Sequence, residues 1–359
     1  MDSRILHKEC LSLSRAGYRV TLIAPHTQNT EVAGVSIRAV RPPAGRWSRV
    51  SLTLAEIWRL AVRADADLYH LHDPELLPLG LALRCRGKKV IYDVHDHFPE
   101  LAAITNYRPL RGPLNRLPSP FIRAMENLAA PRMSAIVAAV EDLGERFVLL
   151  NPKCVVVHNL PIPQELAPLE PISWRQRTSS VTYIGTFTRW RGLFELVQAM
   201  DFLPPQLDCA IVLAGSLKPH WRRQIARLPG YHKVRIVGPL DRSGVRDLLA
   251  TVRAGLSVFH PLPFIPVSWP IKIFEYMAAG IPVIASDFPL WHEFLGEPPA
   301  GLFVDPLDPK SVANAIECIL GHPREAEQMG QLGRRMIEER YNWASEEQKL
   351  LHLYEELSH

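Results

Sequence analysis

Two spacings of apolar residues alternate along the chain. Short continuous apolar runs, bounded by polar residues, Gly or Pro, predict strands at Tyr18–Pro25, Asp67–His72, Lys88–Val94, Ser134–Ala139 and Cys154–His158. Between them, apolar positions recur every three to four residues over Ile5–Ala16, Leu54–Ala64, Glu75–Cys85, Pro120–Leu128 and Asp142–Leu150, which predicts helices. Continuous apolar strands separated by helices imply a parallel sheet covered on both faces. A proline-bearing stretch, Leu160–Pro171, suits a linker. The alternation then restarts, with strands predicted at Ser180–Ile184, Cys209–Ala214, Lys233–Val237, Leu256–Phe259, Ile281–Ala285 and Gly301–Val304. The expected fold class is α/β, with two doubly wound Rossmann-like domains facing across a cleft. Ligands of such sheets bind outside the C-terminal strand ends. Arg108–Pro120, rich in Pro and Arg, reads as a surface loop.

The bulk numbers narrow the function classes. The chain has 359 residues, 47% hydrophobic and 22% charged, which suits two globular cores. Its net charge of +4 is compatible with an anionic substrate or peripheral contact with a membrane surface, and too small for a nucleic-acid footprint. The five cysteines are scattered, without metal or redox spacing, and are expected to be buried free thiols in a reducing compartment. No apolar run approaches the roughly 18 residues of a membrane span. The N-terminus opens with charged residues rather than a signal peptide, so a cytoplasmic location is expected.

The chemistry concentrates in Ser268–Ser286, which reads as loop, short helix and buried strand. Pro270 suits a first helical position and Gly280 the left-handed position past the helix end. Lys272 and Glu275, three apart, share one helix face near its N-terminus. The free N–H groups and partial positive charge there suit a phosphate. A cation and a carboxylate so placed could grip a diphosphate and a ribose together.

Other strand ends carry weaker signals. In Tyr183–Gly192, Gly185 would let the backbone approach a ligand, and Arg189 and Arg191 could neutralise phosphates; a plain strand–helix turn with solvated arginines is the alternative. Gly215 in Leu213–Ser216 and Gly238 in Val237–Leu240 also sit at strand ends, where ordinary turns compete with ligand contact. Asp93–Glu100 closes a buried strand, and its His95 could position or polarise a hydroxyl near neutral pH. His95 and His97 raise metal binding, yet no further ligand is evident and no metal is expected. His70 and His72 read as structural, and His158-Asn159 as a turn. The sequence has no nucleophile elbow, no phosphate loop ending in Gly-Lys-Ser/Thr, and no Asp-x-Asp placed to bind a metal–diphosphate.

Taken together, these segments resemble the GT-B fold retaining glycosyltransferases of the family 4, or group 1, type. The resemblance rests on Asp2–Glu9 with Gly17–Pro25, on Asp93–His95, on Tyr183–Gly185 through Gly192, and on Pro270–Ser286. Tyr341–Trp343 and the helix after it resemble the closing helix that packs back towards the first domain. The implied domains are residues 1–162 on the acceptor side, 163–340 on the donor side, and 341–359. The resemblance implies metal-independent transfer of a sugar from a nucleoside-diphosphate-sugar to a sugar or lipid-linked hydroxyl acceptor, in polysaccharide or glycan assembly. It places Arg191 and Lys272 on the diphosphate, Glu275 on the ribose and His95 near the reacting sugar. It also implies that Gly215 and the backbone of Gly238–Leu240 form the base-side wall of the donor site, with Gly185 among the residues around the nucleotide-sugar.

Three positions depart from the family pattern. Val267 stands where the first glutamate of the Glu-x7-Glu motif is expected, and Ser268 is the candidate replacement. Thr186 stands where an arginine is common. Asp2 directly follows Met1, where the family has a strand and a glycine-bearing loop, so the first domain is expected to lack its N-terminal strand. These departures leave a truncated or non-catalytic nucleotide-sugar-binding protein as the alternative. A sugar-nucleotide epimerase would need acid and base residues that the sequence does not reveal.

Overall fold

Thirteen strands form among the described residues of the computed structural model, which are 3–42, 53–104, 118–167 and 172–358. The expected Arg108–Pro120 loop lies, as far as residue 117, outside them. The chain divides into one unit of Met1–Asn159 with Trp343–His359 and a second of Leu160–Asn342.

The first unit holds β1 (Thr21–Pro25), β2 (Thr30–Val32), β3 (Val35–Val40), β4 (Leu68–Leu71), β5 (Lys89–Val94), β6 (Ala135–Ala138) and β7 (Cys154–Val156). They form two sheets rather than one. The smaller has the order β1-β3-β2 and the larger β4-β5-β6-β7. All pairs are parallel except β2–β3. That antiparallel hairpin was not predicted. It turns through Ala33 and Gly34, both at positive φ (47° and 84°), the backbone that a two-residue hairpin turn requires. A π-helical stretch, Arg4–Cys10, runs into the helix Leu11–Arg15 and puts Leu6 and Cys10 against Val35 and Ile37. Between β1 and β4 lies a cavity of about 920 Å³, lined by Leu22, Ile23, Leu68, His70, Glu9 and Tyr354 among others. No strand bridges it among the described residues, so β1 and β4 are the facing edges of the two sheets.

The C-terminal helix Trp343–Ser358 belongs to this unit. Trp343 Nε1 donates to Ser12 Oγ (2.9 Å), the His158 backbone N–H donates to Glu346 Oε2 (2.8 Å), and the Tyr354 hydroxyl meets His70 Nδ1 (2.9 Å). Glu141 and Glu346 flank the His158 ring; burial pulls its pKa down, but these hydrogen bonds outweigh burial and raise it.

The second unit has one parallel sheet of β8 (Ser180–Ile184), β9 (Ala210–Ala214), β10 (Val234–Gly238), β11 (Ala254–Ser257), β12 (Val283–Ser286) and β13 (Gly301–Val304), in the order β10-β9-β8-β11-β12-β13. β11 and β12 are buried along their whole length, as their apolar runs imply. Gly255 on β11 carries the contact that seats the next helix. A Cβ there would lie 2.1 Å from Tyr276 Cγ, so the Tyr276 ring rests directly on the strand backbone. The Tyr276 hydroxyl accepts from the Ile184 N–H (3.1 Å) and donates to the Leu256 carbonyl (3.3 Å). Helix Ile271–Ala278 is thereby fixed over β8 and β11.

The five cysteines are free, but only Cys10 and Cys209 are buried; Cys85 and Cys318 are exposed, against expectation. Both sit near helix ends, where the apolar pattern gives way to solvent. No helix of the described residues is long and apolar enough to cross a membrane.

Candidate active site

Helix Ile271–Ala278 begins one residue later than its sequence suggests. Pro270 is extended (ψ 110°) and caps the helix instead of starting it, while Gly280 takes the left-handed conformation (φ 70°) just past its end. Lys272 and Glu275 leave the first turns of this helix on one face. The Lys272 ammonium lies 5.4 Å from the centre of the Tyr183 ring and 5.5 Å from that of Phe259. Its pKa falls to about 7, through burial first and then the nearby charge of Arg191, with Glu275 opposing.

The glycines at the ends of β8 and β9 crowd the same place. Gly185 (φ 131°) and Gly215 (φ 146°) need their backbone freedom. A Cβ on Gly215 would lie 1.9 Å from the Gly185 carbonyl oxygen, and one on Gly185 would lie 2.9 Å from Lys272 Cε. The two strand ends and the lysine stem are thus in contact, leaving no room for side chains between them.

Arg191 ends a short 3-10 turn after β8. Its guanidinium stacks 4.7 Å from the Trp190 ring centre and 5.8 Å from that of Phe259, and Nη1 donates to the Thr186 carbonyl (3.3 Å). Arg191 folds back to position 186, so it supplies positive charge where Thr186 replaces the expected arginine. Arg189 turns instead over Phe194, 5.7 Å from its centre. Arg191 and Lys272 therefore flank one ring, Phe259, and neither is ion-paired among the described residues.

Glu275, only 7% exposed, is held by a residue the sequence did not single out. Arg242 Nη1 donates to Glu275 Oε1 at 2.6 Å. Gly238 (φ 76°) ends β10 with open space beside it, and Leu240 is 37% exposed. Ser268 is engaged in its own loop: its hydroxyl donates to the Ile265 carbonyl (2.7 Å), and its carbonyl accepts from Trp291 Nε1 (3.1 Å). Val267 is 39% exposed.

In the first unit, His95 follows β5, its ring edge-on to Phe98 (5.3 Å between centres) and 6.4 Å from His72. His97 lies 3.6 Å from Asp142. The donors that converge here are others: Glu9, His70, His72 and Asp93 offer atoms within 4.8 Å of one another. Arg4 occupies this cluster, with Nε 2.8 Å from Glu9 and Nη2 3.2 Å from Asp93. Burial works against the Asp93 charge, but Arg4 first, and then the hydrogen bond from His72, hold its carboxyl well below the usual range. Burial, with His72 and Arg4, drives the His70 pKa to about 3, so that ring is neutral. The carboxylates thus already have a guanidinium as counter-charge, and the cluster reads as a buried ion-pair network.

Family comparison matches residues 3–160 to Glycosyltransferase Family 4 and residues 178–322 to Glycosyl transferases group 1. An uncharacterised glycosyltransferase of Methanocaldococcus jannaschii is 24% identical over 251 residues, 65% of this chain and 63% of that protein, so the chain spans under two thirds of that relative's length. The phosphatidyl-myo-inositol mannosyltransferase of Mycobacterium leprae is 22% identical over 352 residues, 94% of this chain and 88% of its own. Among solved structures, sucrose-phosphate synthase from Thermosynechococcus elongatus superposes with a TM-score of 0.77 at 20% identity, covering 99% of this chain and 94% of that one. Anabaena HepE in complex with UDP and glucose gives a TM-score of 0.68 at 17% identity, covering 90% and 86%. At these identities the structural likeness shows the fold, GT-B with two Rossmann-like domains.

Proposed function

The chain belongs to the group 1, family 4 glycosyltransferases, and from that premise we propose that it moves a sugar from a nucleoside-diphosphate-sugar to a hydroxyl acceptor, with retention and without a metal. One observation carries the reading. Two cations, Arg191 and Lys272, flank the same Phe259 ring at glycine-walled strand ends, and neither is ion-paired among the described residues. Unpaired, partly desolvated cations side by side are costly unless an anion completes them. The N-terminus of helix Ile271–Ala278 adds orphan N–H groups. A diphosphate supplies the missing charge.

In this reading Arg191, Lys272 and the helix N-terminus stabilise the charge that develops on the departing diphosphate. Glu275 accepts from the ribose, and Gly185 and Gly215 let the two strand ends and Lys272 close together beside the phosphates. Gly238 and Leu240 border the base, Ser268 the sugar, and His95 of the first unit positions sugar or acceptor. The bond from the anomeric carbon to the phosphate oxygen breaks. The acceptor oxygen bonds to that carbon on the same face, and its proton passes to the departing phosphate oxygen. The neighbour HepE, holding UDP and glucose, and the mannosyltransferase relative support donor and reaction class. That relative's phosphatidyl-inositol name also supports a lipid-linked acceptor, met by peripheral contact on the cytoplasmic face of a membrane.

Glu275→Ala tests the site. Calorimetry with UDP, GDP and ADP should show the preferred nucleotide bound about tenfold or more weaker, because a buried acceptor to a hydroxyl is lost. An unchanged dissociation constant would contradict the assignment. Val267, lacking a carboxylate at the sugar end, favours a second reading, donor binding without turnover. Tight binding of labelled nucleotide-sugars with neither transfer nor slow hydrolysis would select it.

A further inference from the structure

Arg242 ties together three segments of the second unit. It opens the helix Arg242–Thr251, directly after the Gly238–Leu240 turn, and Asp241 fixes that start by accepting from the Gly244 N–H (2.8 Å). One nitrogen, Nη1, donates to Glu275 Oε1 at 2.6 Å. The other two, Nε and Nη2, fork onto Glu165 Oε2 at 3.1 and 2.9 Å. Glu165 sits on the short helix Pro163–Leu166, close behind the boundary between the two units. The guanidinium is planar with donors in a fixed fork, so engaging both carboxylates fixes its own plane and the rotamer of Glu275. Glu275 Oε2 accepts no hydrogen bond among the described residues. Arg242 thus leaves a buried carboxylate with one oxygen held and the other available.

We propose that Arg242 is a positioning residue for donor recognition: it aims the open oxygen of Glu275 at a ribose hydroxyl, and Glu165 holds Arg242 in that pose. This rests on the reading of Glu275 as the ribose residue. The consequence is selectivity rather than bulk affinity. A carboxylate with a fixed rotamer rejects a sugar lacking the hydroxyl it addresses, whereas a free one relaxes onto water. Neither Arg242 nor Glu165 touches the reacting atoms in this account.

The test uses the full chain and the tightest binder among UDP, GDP and ADP, with the 2′-deoxy and 3′-deoxy forms of that nucleotide. The wild type should discriminate against one deoxy form by about tenfold or more, as expected for a hydrogen bond to a charged group. Arg242→Ala should collapse that ratio to within about threefold, with Glu165→Gln intermediate. Arg242→Lys, which keeps the charge but not the fork, should restore affinity better than selectivity. Affinity for all three nucleotides falling in parallel, with the ratio retained in Arg242→Ala, overturns the proposal. If that variant fails to fold by thermal melting, an unchanged ratio in Glu165→Gln overturns it instead. Glu275→Gln separates the two levels: a ratio that survives there removes the ribose assignment itself.

Discussion

If Lys272 meets a donor diphosphate as proposed, nucleotide binding should respond to its titration. Its ammonium, desolvated between Tyr183 and Phe259 and repelled by Arg191, has a pKa near 7 in the free protein. A diphosphate beside it favours the charged form, so the pKa rises on binding. With the bound pKa above the free one, binding takes up a proton between the two values. Affinity is therefore full below about pH 7 and is lost as pH rises through the window above it. The dissociation constant of a nucleoside diphosphate should climb from pH 7.5 to 9, with a limiting slope of about tenfold per pH unit. Lys272→Met should bind more weakly overall and lose that slope in calorimetric titrations. A slope that persists in the variant would assign it to another group.

How much of this site the sequence disclosed depends on how each residue is placed. Lys272 and Glu275 were legible because three-residue spacing on a helix guarantees a shared face. Gly185 and Gly215 were legible as glycines at apolar strand ends, although their mutual contact is a tertiary fact. Arg242 left no trace, since its partners lie 33 and 77 residues away and no period links them. The hairpin of β2 and β3 was missed because its Ala33-Gly34 turn lacks the Asn-Gly or Asp-Gly signature.

At the scale of the element, helix Ile271–Ala278 owes its placement to the packing of Tyr276 on Gly255. Propensity would not hold eight residues helical alone; tertiary contact does. Gly255→Ala would drive a methyl into the ring and displace the helix that carries both Lys272 and Glu275. The expected cost is about 1–3 kcal/mol of stability, as for other overpacked cores, with nucleotide affinity lost alongside. Chemical denaturation with and without nucleotide would measure both. A variant with unchanged midpoint and affinity would show that the Tyr276 contact does not seat the site. Continuous apolar strands such as β11 and β12 were readable as buried, but which glycine admits which ring was not.

At the scale of the whole molecule, the two units differ in how completely their strands are paired. In the second, six strands run without interruption, so the interior ones have neighbours on both sides. In the first, the cavity separates β1 from β4, and among the described residues each presents an unpaired backbone row to it. Those amides have no ladder partner to hold them closed, so the two units should differ in the time their protons take to exchange with heavy water. Deuterium uptake followed by mass spectrometry should fill Thr21–Pro25 and Leu68–Leu71 early and reach β8 and β11 last. Equal protection of β1 and β11 would contradict this order. The breach between the sheets thus sets where the protein begins to open, and it puts that opening in the unit without Lys272, Glu275 and Arg242.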